Sequence, residues 1–102
     1  MNEDEQDAVA FTVGLLEHKG PSLQFPYSSN VRQSRYSSMR ELRIQCKGCP
    51  LRTFYIFDPR RTAILLIGGE KTGNNRFYEE MVPIADEIYD RYLNEIKGED
   101  ND

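Results

Sequence analysis

Apolar residues recur at helical spacing near both ends of the chain and alternate with polar residues in its middle. At the N-terminal end, Asn2 and Glu5 have the spacing of a capping box, and the pattern after them predicts a helix as far as His18. Gly20-Pro21 should end this helix, because neither residue readily continues one. The predicted apolar stripe comprises Ala8, Phe11 and Leu15, with Val13 and Leu16 as neighbours.

A second amphipathic helix is predicted from about residue 76 to residue 97, with Asn74-Asn75 as its cap. Its apolar stripe comprises Met81, Ile84, Ile88, Tyr92 and Ile96. Pro83 lies inside this pattern, so the helix either kinks there or becomes regular there. We therefore expect one domain over residues 1–97, followed by a frayed acidic tail at residues 98–102.

Between the helices the apolar period changes to two, because Leu42, Ile44 and Cys46 alternate with polar residues. The predicted strands and turns are, in order, residues 39–46, Lys47-Gly48, residues 51–57, Asp58-Pro59-Arg60-Arg61 and residues 62–67. Residues 21–38 are rich in Ser, Pro and Tyr and predict a loop, with one helical turn near residues 31–35. The order of helix, loop, three-stranded antiparallel meander and helix defines an α+β domain.

The charges are unevenly distributed along the 102 residues, although the net charge is only −4. Residues 19–76 carry a balance of +8, whereas residues 1–18 carry −5 and residues 77–102 carry −7. A basic centre can meet a polyanion while acidic ends stay solvated. The acidic N-terminus, the two cysteines and the lack of a long apolar run predict a cytoplasmic protein without a membrane span.

The turn at Lys47-Gly48 also predicts which residues face each other. If it forms a two-residue hairpin loop, Arg43 lies opposite Arg52, and Arg40 lies opposite Tyr55. Two like charges placed directly across a sheet are destabilising. A folded protein tolerates this pair more readily if an anion, or an acidic partner protein, lies over it.

Two further residues are expected near the same end of the sheet. Lys71 follows the third predicted strand, and Tyr78 lies at the start of the last helix. Cations can hold a phosphate and stabilise its pentacovalent transition state, while a Lys or Tyr with a shifted pKa can move protons. From this pattern alone, ordinary surface arginines on a solvated sheet face are an equally good interpretation.

The Cys46-Lys47-Gly48-Cys49 motif does not indicate a metal site. Zinc would need two further ligands, and the chain has no second cysteine pair and only His18 as a histidine. Two incidental thiols that flank a turn are the better interpretation.

The ordered segments resemble RelE/ParE-superfamily toxins and are most similar to the phage-derived HigB-like branch. The resemblance extends over roughly residues 5–97 and depends on five segments in a fixed order: Met39–Arg43, Arg52–Asp58, Ala63–Gly73, Arg76–Glu79 and Val82–Asp86. It implies a ribonuclease, independent of metals and cofactors, that acts on messenger RNA in the ribosome. It also implies a cognate antitoxin, expected to be a helix-turn-helix protein.

The resemblance assigns roles to individual residues. The residues expected to take part in catalysis are Arg52, Lys71 and Tyr78; those expected to bind RNA phosphates are Arg40, Arg43 and Arg76. Because His18 lies at the end of the first helix, we do not expect the histidine-based chemistry of some HigB-like enzymes.

Family members usually begin with a strand and a longer first helix, whereas this chain begins inside that helix. We therefore expect the first of the family's four strands to be missing. Two alternatives remain: a ParE-like toxin that inhibits gyrase, and a catalytically inactive relative that binds an antitoxin.

Overall fold

The computed structural model describes residues 3–73 and 75–100, except the side chains of residues 99 and 100. The elements in chain order are α1 (Glu3–Lys19), a short 3₁₀ turn (Gly20–Ser22), β1 (Ser28–Asn30), β2 (Arg40–Cys46), β3 (Cys49–Phe57), β4 (Ala63–Glu70) and α2 (Phe77–Asp100). The strands form one antiparallel sheet in the order β1-β2-β3-β4. Neither described helix is long and apolar enough to cross a lipid bilayer. The predicted caps at Asn2 and Asn74 lie outside the described residues.

The predicted α+β fold is confirmed, and the described sheet contains a fourth strand. Strand β1 lies within the segment predicted as a loop, and residues 31–35 form turns and bends rather than the expected helical turn. Its three residues are too few to show an alternating pattern. Their place is fixed by pairing with β2 and by the buried Ser28 hydroxyl, which lies 2.6 Å from the hydroxyl of Tyr55.

The predicted hairpin register is confirmed residue for residue. Lys47 and Gly48 have φ angles of 47° and 80°, as a two-residue type I′ turn requires. The turn places Arg43 opposite Arg52 and Arg40 opposite Tyr55. Because partners directly across an antiparallel pair point to the same side of the sheet, Arg43 and Arg52 share one face.

The sheet is covered on both faces, so the chain forms three layers. The buried residues of the core between the sheet and α1 are Leu16, Leu23, Leu42, Ile44 and Tyr55. The buried residues of the core on the α2 side are Val31, Met39, Phe54, Ile56, Phe77, Val82, Ala85 and Tyr89. The strand pattern alternates between these two cores, because successive side chains point to opposite faces.

Each helix buries a stripe displaced by one residue from the predicted one. In α1, Phe11 is 62% exposed, whereas Thr12 is buried. Its hydroxyl can be buried since it donates a 3.0 Å hydrogen bond to the Ala8 carbonyl. In α2, Ile84 is exposed, whereas Ala85 and its neighbours along that stripe are buried. The helix begins six residues before Pro83 and extends to Asp100, beyond the predicted end at residue 97.

Helix α2 is fixed along the sheet at two points. Near its C-terminal half, the Tyr92 hydroxyl donates a 2.6 Å hydrogen bond to Asp58, which also accepts bonds from the backbone of Arg60 and Thr62. The bond from Tyr92 is the main reason why the pKa of Asp58 lies below its ordinary value. At the other end, Gly69 lies against Phe77, whose Cε1 would be 3.4 Å from an added Cβ. This arrangement brings the first turn of α2 next to Arg52, the register partner of Gly69.

Two leucine substitutions test the placement of the cores. Leu42→Ala should lower the free energy of unfolding by about 2–5 kcal/mol, because it leaves a cavity in a fully packed site. Leu65→Ala is the matched control, since the exposed Leu65 side chain should contribute only about 0.5 kcal/mol. Urea denaturation followed by circular dichroism measures both, and equal losses would contradict the described packing.

Candidate active site

The two facing arginines lie on the α2 side of the sheet but differ in accessibility. Arg52, on the central strand β3, is 4% exposed, whereas the side chain of Arg43 is 25% exposed. The guanidinium of Arg52 is turned toward the protein and donates a 3.0 Å hydrogen bond from Nη1 to the Leu51 carbonyl. A ligand that approaches from solvent therefore meets Arg43 first and Arg52 behind it.

A carboxylate of the chain itself lies between the arginines. Glu41 lies two residues before Arg43 on β2 and so points to the same face; it is only 3% exposed. Its Oε1 is 3.3 Å from Arg43 Nη1, accepts a 3.0 Å hydrogen bond from Ser29 Oγ and lies 3.8 Å from Arg52 Nε. Glu41 offsets one of the two guanidinium charges from within the chain, so the arginine pair and Glu41 together keep one net positive charge.

The charges of the cluster attract each other, but not every buried polar atom in it has a hydrogen-bond partner. Glu41 Oε2 and Arg52 Nε are both buried and have no hydrogen-bond partner among the described residues. Buried polar atoms normally have partners, so each unpaired atom costs stability. The site therefore keeps one free acceptor and one free donor within a group of charges.

Tyr78 joins the cluster from the first turn of α2. Its hydroxyl donates a 2.9 Å hydrogen bond to Glu41 Oε1, and the Nζ of Lys71 lies 4.9 Å from the centre of its ring. Lys71 is held by its own backbone N–H, which donates a 2.9 Å bond to the Pro50 carbonyl. We call Glu41, Arg43, Arg52, Lys71 and Tyr78 the Glu41 cluster.

The environment of Tyr78 determines which proton chemistry it can perform. Burial raises the pKa of Tyr78, and the neighbouring Glu41 carboxylate raises it further, against a smaller opposite effect of Arg52. The phenol is therefore protonated at neutral pH and can donate a proton or a hydrogen bond. It does not provide a phenolate base.

The structure does not bring all of the predicted site residues together. Arg40 points to the α1 side of the sheet, where it donates hydrogen bonds to Ser28 Oγ at 2.8 Å and Asn30 Oδ1 at 2.5 Å. Arg76 lies just before α2 and pairs with Glu79 at 3.1 Å on the surface. His18 is exposed in the last turn of α1, on the opposite side of the sheet. The expected roles of Arg40 and Arg76 in RNA binding stay predictions.

Glu41 was not among the residues singled out from the sequence. The available signal was its position two residues before Arg43, which places a carboxylate on the same face as the facing arginines. A charged residue at such a position is usually interpreted as solvated. Only the packing of α2 over this part of the sheet reveals that it is buried.

The cysteine pair has no metal-binding partners in the described part of the chain. Cys46 and Cys49 lie opposite each other on either side of the hairpin turn, and both are free thiols. No group of three or more His, Cys, Asp or Glu side chains among the described residues could hold a metal ion.

Comparisons with known proteins identify the family. The family described as "Phage derived protein Gp49-like (DUF891)" matches residues 1–90. A Mycobacterium tuberculosis protein named "Putative toxin HigB3" is 40% identical over 94 residues, which cover 91% of this chain and 81% of the relative. Another protein of that organism, "Putative toxin HigB2", is 35% identical over 95 residues, 91% of this chain but only 47% of the relative. No solved structure gives a significant match.

The family match and the two relatives show the same family. The chain belongs to the phage-derived Gp49-like family, and the predicted similarity to its HigB-like members is confirmed.

The charge balance within the cluster can be tested by stability measurements. Arg52→Met should lower the free energy of unfolding by about 3–5 kcal/mol, because it leaves Glu41 buried without its closest buried cation. Adding Glu41→Gln should recover part of that loss, since the unpaired charge is removed. Urea denaturation of both single variants and the double variant gives the coupling energy.

A matched control is Arg91→Met, which removes an exposed arginine paired with Glu87 and should change stability by at most about 0.5 kcal/mol. Strictly additive effects of Arg52→Met and Glu41→Gln would show that the two side chains do not interact.

Proposed function

We propose that this chain is the toxin of a type II toxin–antitoxin system and that it cuts messenger RNA in the ribosome. The names of its relatives support the toxin role. The observation that carries the nuclease role is a cluster in which two arginines and a protonated phenol meet at one buried carboxylate, with Lys71 over the ring of that phenol. A protein that acts only by binding gyrase or an antitoxin has no chemical need for such a cluster.

The proposed reaction uses the RNA itself as the nucleophile. The 2′-oxygen of a ribose forms a bond to the adjacent phosphorus while the bond from phosphorus to the 5′-oxygen of the next nucleotide breaks. The products are a 2′,3′-cyclic phosphate and a 5′-hydroxyl. One proton leaves the 2′-hydroxyl, and one is gained by the departing oxygen. Such a reaction needs positive charge around the phosphorane and one acid–base pair.

Arg43 and Lys71 are proposed to contact the phosphate. Both are more accessible than Arg52, and both approach Tyr78 or its hydrogen-bond partner Glu41. Arg52 lies behind them, where its buried charge strengthens the local positive potential. Its guanidinium can contact the phosphate only if the Glu41 side chain moves aside. A preorganised cation in a water-poor site stabilises developing negative charge more strongly than the same cation in water.

Tyr78 and Glu41 form the proposed acid–base pair. The raised pKa of Tyr78 suits an acid that protonates the departing 5′-oxygen, a strongly basic leaving group. Glu41 is the carboxylate that receives the proton of the 2′-hydroxyl. Because Tyr78 Oη and Glu41 Oε1 are 2.9 Å apart, that proton can return to the phenolate and restore the starting state.

The function is tested by substituting the accessible cation. Arg43→Ala should slow cleavage of ribosome-bound message about a hundred- to a thousandfold, the usual cost of one lost transition-state contact. Tyr78→Phe should lower turnover more than binding, because a phenol that acts as an acid contributes only in the transition state. Primer extension on translated messages, together with growth of the expressing cells, measures both effects.

The matched control is Arg91→Ala, an exposed arginine far along α2, which should cleave messages as the parent chain does. If the parent inhibits growth, leaves messages intact and causes gyrase–DNA adducts to accumulate, the gyrase alternative replaces this proposal. If the parent binds an antitoxin but does not inhibit growth, the alternative of a catalytically inactive, antitoxin-binding relative replaces this proposal.

A further inference from the structure

Beside the Glu41 cluster lies an aromatic ring that the core does not use. Phe25 is 71% exposed, and the guanidinium carbon of Arg43 lies 5.1 Å from the centre of its ring. Burying a phenylalanine side chain normally stabilises a fold, and this position lacks that gain. The ring is instead presented to solvent at the edge of the sheet, next to a residue of the cluster.

The surroundings of Phe25 are basic. The ring lines one surface cavity of about 390 Å³ together with Arg40 and a second of about 300 Å³ together with Lys19. Among the described residues that line these two cavities there is no Asp or Glu. Arg43 thus contacts the exposed ring, and Arg40 and Lys19 share its two cavities. Most acidic residues of the chain lie in the two helices, and the nearest carboxylate to the Arg43 guanidinium is the buried Glu41.

An exposed ring bordered by cations is the arrangement that single-stranded nucleic acids occupy on proteins. Bases stack on aromatic side chains, while neighbouring Lys and Arg side chains attract the backbone phosphates. A guanidinium already placed over the ring can stay in contact with it and with a phosphate at once. Tyr27, which also lines the smaller cavity, is a second exposed aromatic side chain near this ring, so the patch differs from an apolar docking surface in its nearby cations rather than in a lack of apolar area.

We propose that Phe25 is the stacking platform for a nucleobase next to the scissile phosphate, with Lys19 and Arg40 holding the backbone on its far side. The single guanidinium of Arg43 contacts both the Phe25 ring and Glu41 Oε1, so the platform is one side chain away from the proposed chemistry. The inference rests on the proposed function for its substrate class. It gives Arg40 a role at the platform rather than within the Glu41 cluster.

The test uses a single-stranded 2′-O-methyl RNA that carries one 2-aminopurine and cannot be cleaved by its own 2′-oxygen. Stacking of 2-aminopurine on the full chain should quench its fluorescence. Phe25→Leu should weaken binding by roughly 5- to 150-fold and abolish the quenching, the usual effect of losing one stacked base. Phe25→Trp should retain both the RNA binding and the quenching, because Trp keeps an aromatic face for the base, whereas Leu keeps only the apolar volume.

Leu65→Ala, an exposed apolar position on the α1 side of β4, is the control and should bind as the parent does. In parallel, Phe25→Leu should raise the KM for ribosome-bound message more than it lowers kcat. An unquenched parent, or a Phe25→Leu variant that binds and quenches as the parent does, overturns the inference. If the antitoxin no longer neutralises the Phe25→Leu variant while that variant binds RNA as the parent does, the inference is also overturned, because Phe25 then contacts a protein partner.

These measurements distinguish a failure of the Phe25 platform from a failure of the nuclease function. If messages are cleaved and Phe25→Leu cleaves them as efficiently as the parent, the platform is wrong and the nuclease function stands. If the parent quenches and Phe25→Leu does not, but no message is ever cleaved, RNA stacking stands and the nuclease function fails.

Discussion

The structure depends on one buried carboxylate, Glu41, which reduces the repulsion between two facing arginines. The hairpin turn at Lys47-Gly48 fixes the register of β2 and β3, and that register forces Arg43 and Arg52 against each other. Arg52 cannot escape to solvent, because it lies on a central strand beneath α2. Glu41 resolves this conflict from the same face of β2, and Tyr78 attaches the first turn of α2 to the same oxygen. The sheet, the second helix and the candidate site are thus linked at a single atom.

The same constraint explains why the site keeps unpaired atoms. Oε1 of Glu41 takes the contacts of Arg43, Arg52 and Tyr78, while Oε2 of Glu41 and Nε of Arg52 have no hydrogen-bond partner in the described part of the chain. A purely structural ion pair would gain stability from satisfying both atoms. Incompletely satisfied charges are instead typical of sites that take up a further partner, as the proposed phosphate-binding site would. The cost in stability is consistent with a site shaped for chemistry.

The fold was predictable where local geometry determines it and less so where packing does. A two-residue turn leaves one register, so the facing of Arg43 and Arg52 followed from the sequence alone. The helical stripes were displaced because α2 carries two adjacent apolar rows, one through Ile84 and one through Ala85. At the start of α2, the buried Phe77 packs close to Gly69 of the sheet. No local pattern encodes that contact.

The candidate site could likewise be predicted from the sequence only in part. Its cations could be predicted from the resemblance and the hairpin, whereas the burial of Glu41 and the exposure of Phe25 are properties of the packed chain. An alternating strand pattern shows which face Glu41 occupies but not that a helix covers it. Likewise, an aromatic residue in a loop gives no sign that it remains exposed beside Arg43. Both residues change the proposed mechanism: one becomes the carboxylate of the acid–base pair, the other a base platform.

The most direct test of the central claim is the titration of Tyr78 by NMR, with tyrosine labelled at the ring carbon that bears the hydroxyl. The resonance of Tyr78 is assigned by its loss in Tyr78→Phe. If Glu41 organises the cluster, Tyr78 should stay protonated above its ordinary pKa of 10.0, because burial and the adjacent carboxylate both oppose ionisation. Glu41→Gln should lower that midpoint, since one of the two causes is removed. A Tyr78 that ionises at its ordinary pKa and does not respond to Glu41→Gln would contradict the account.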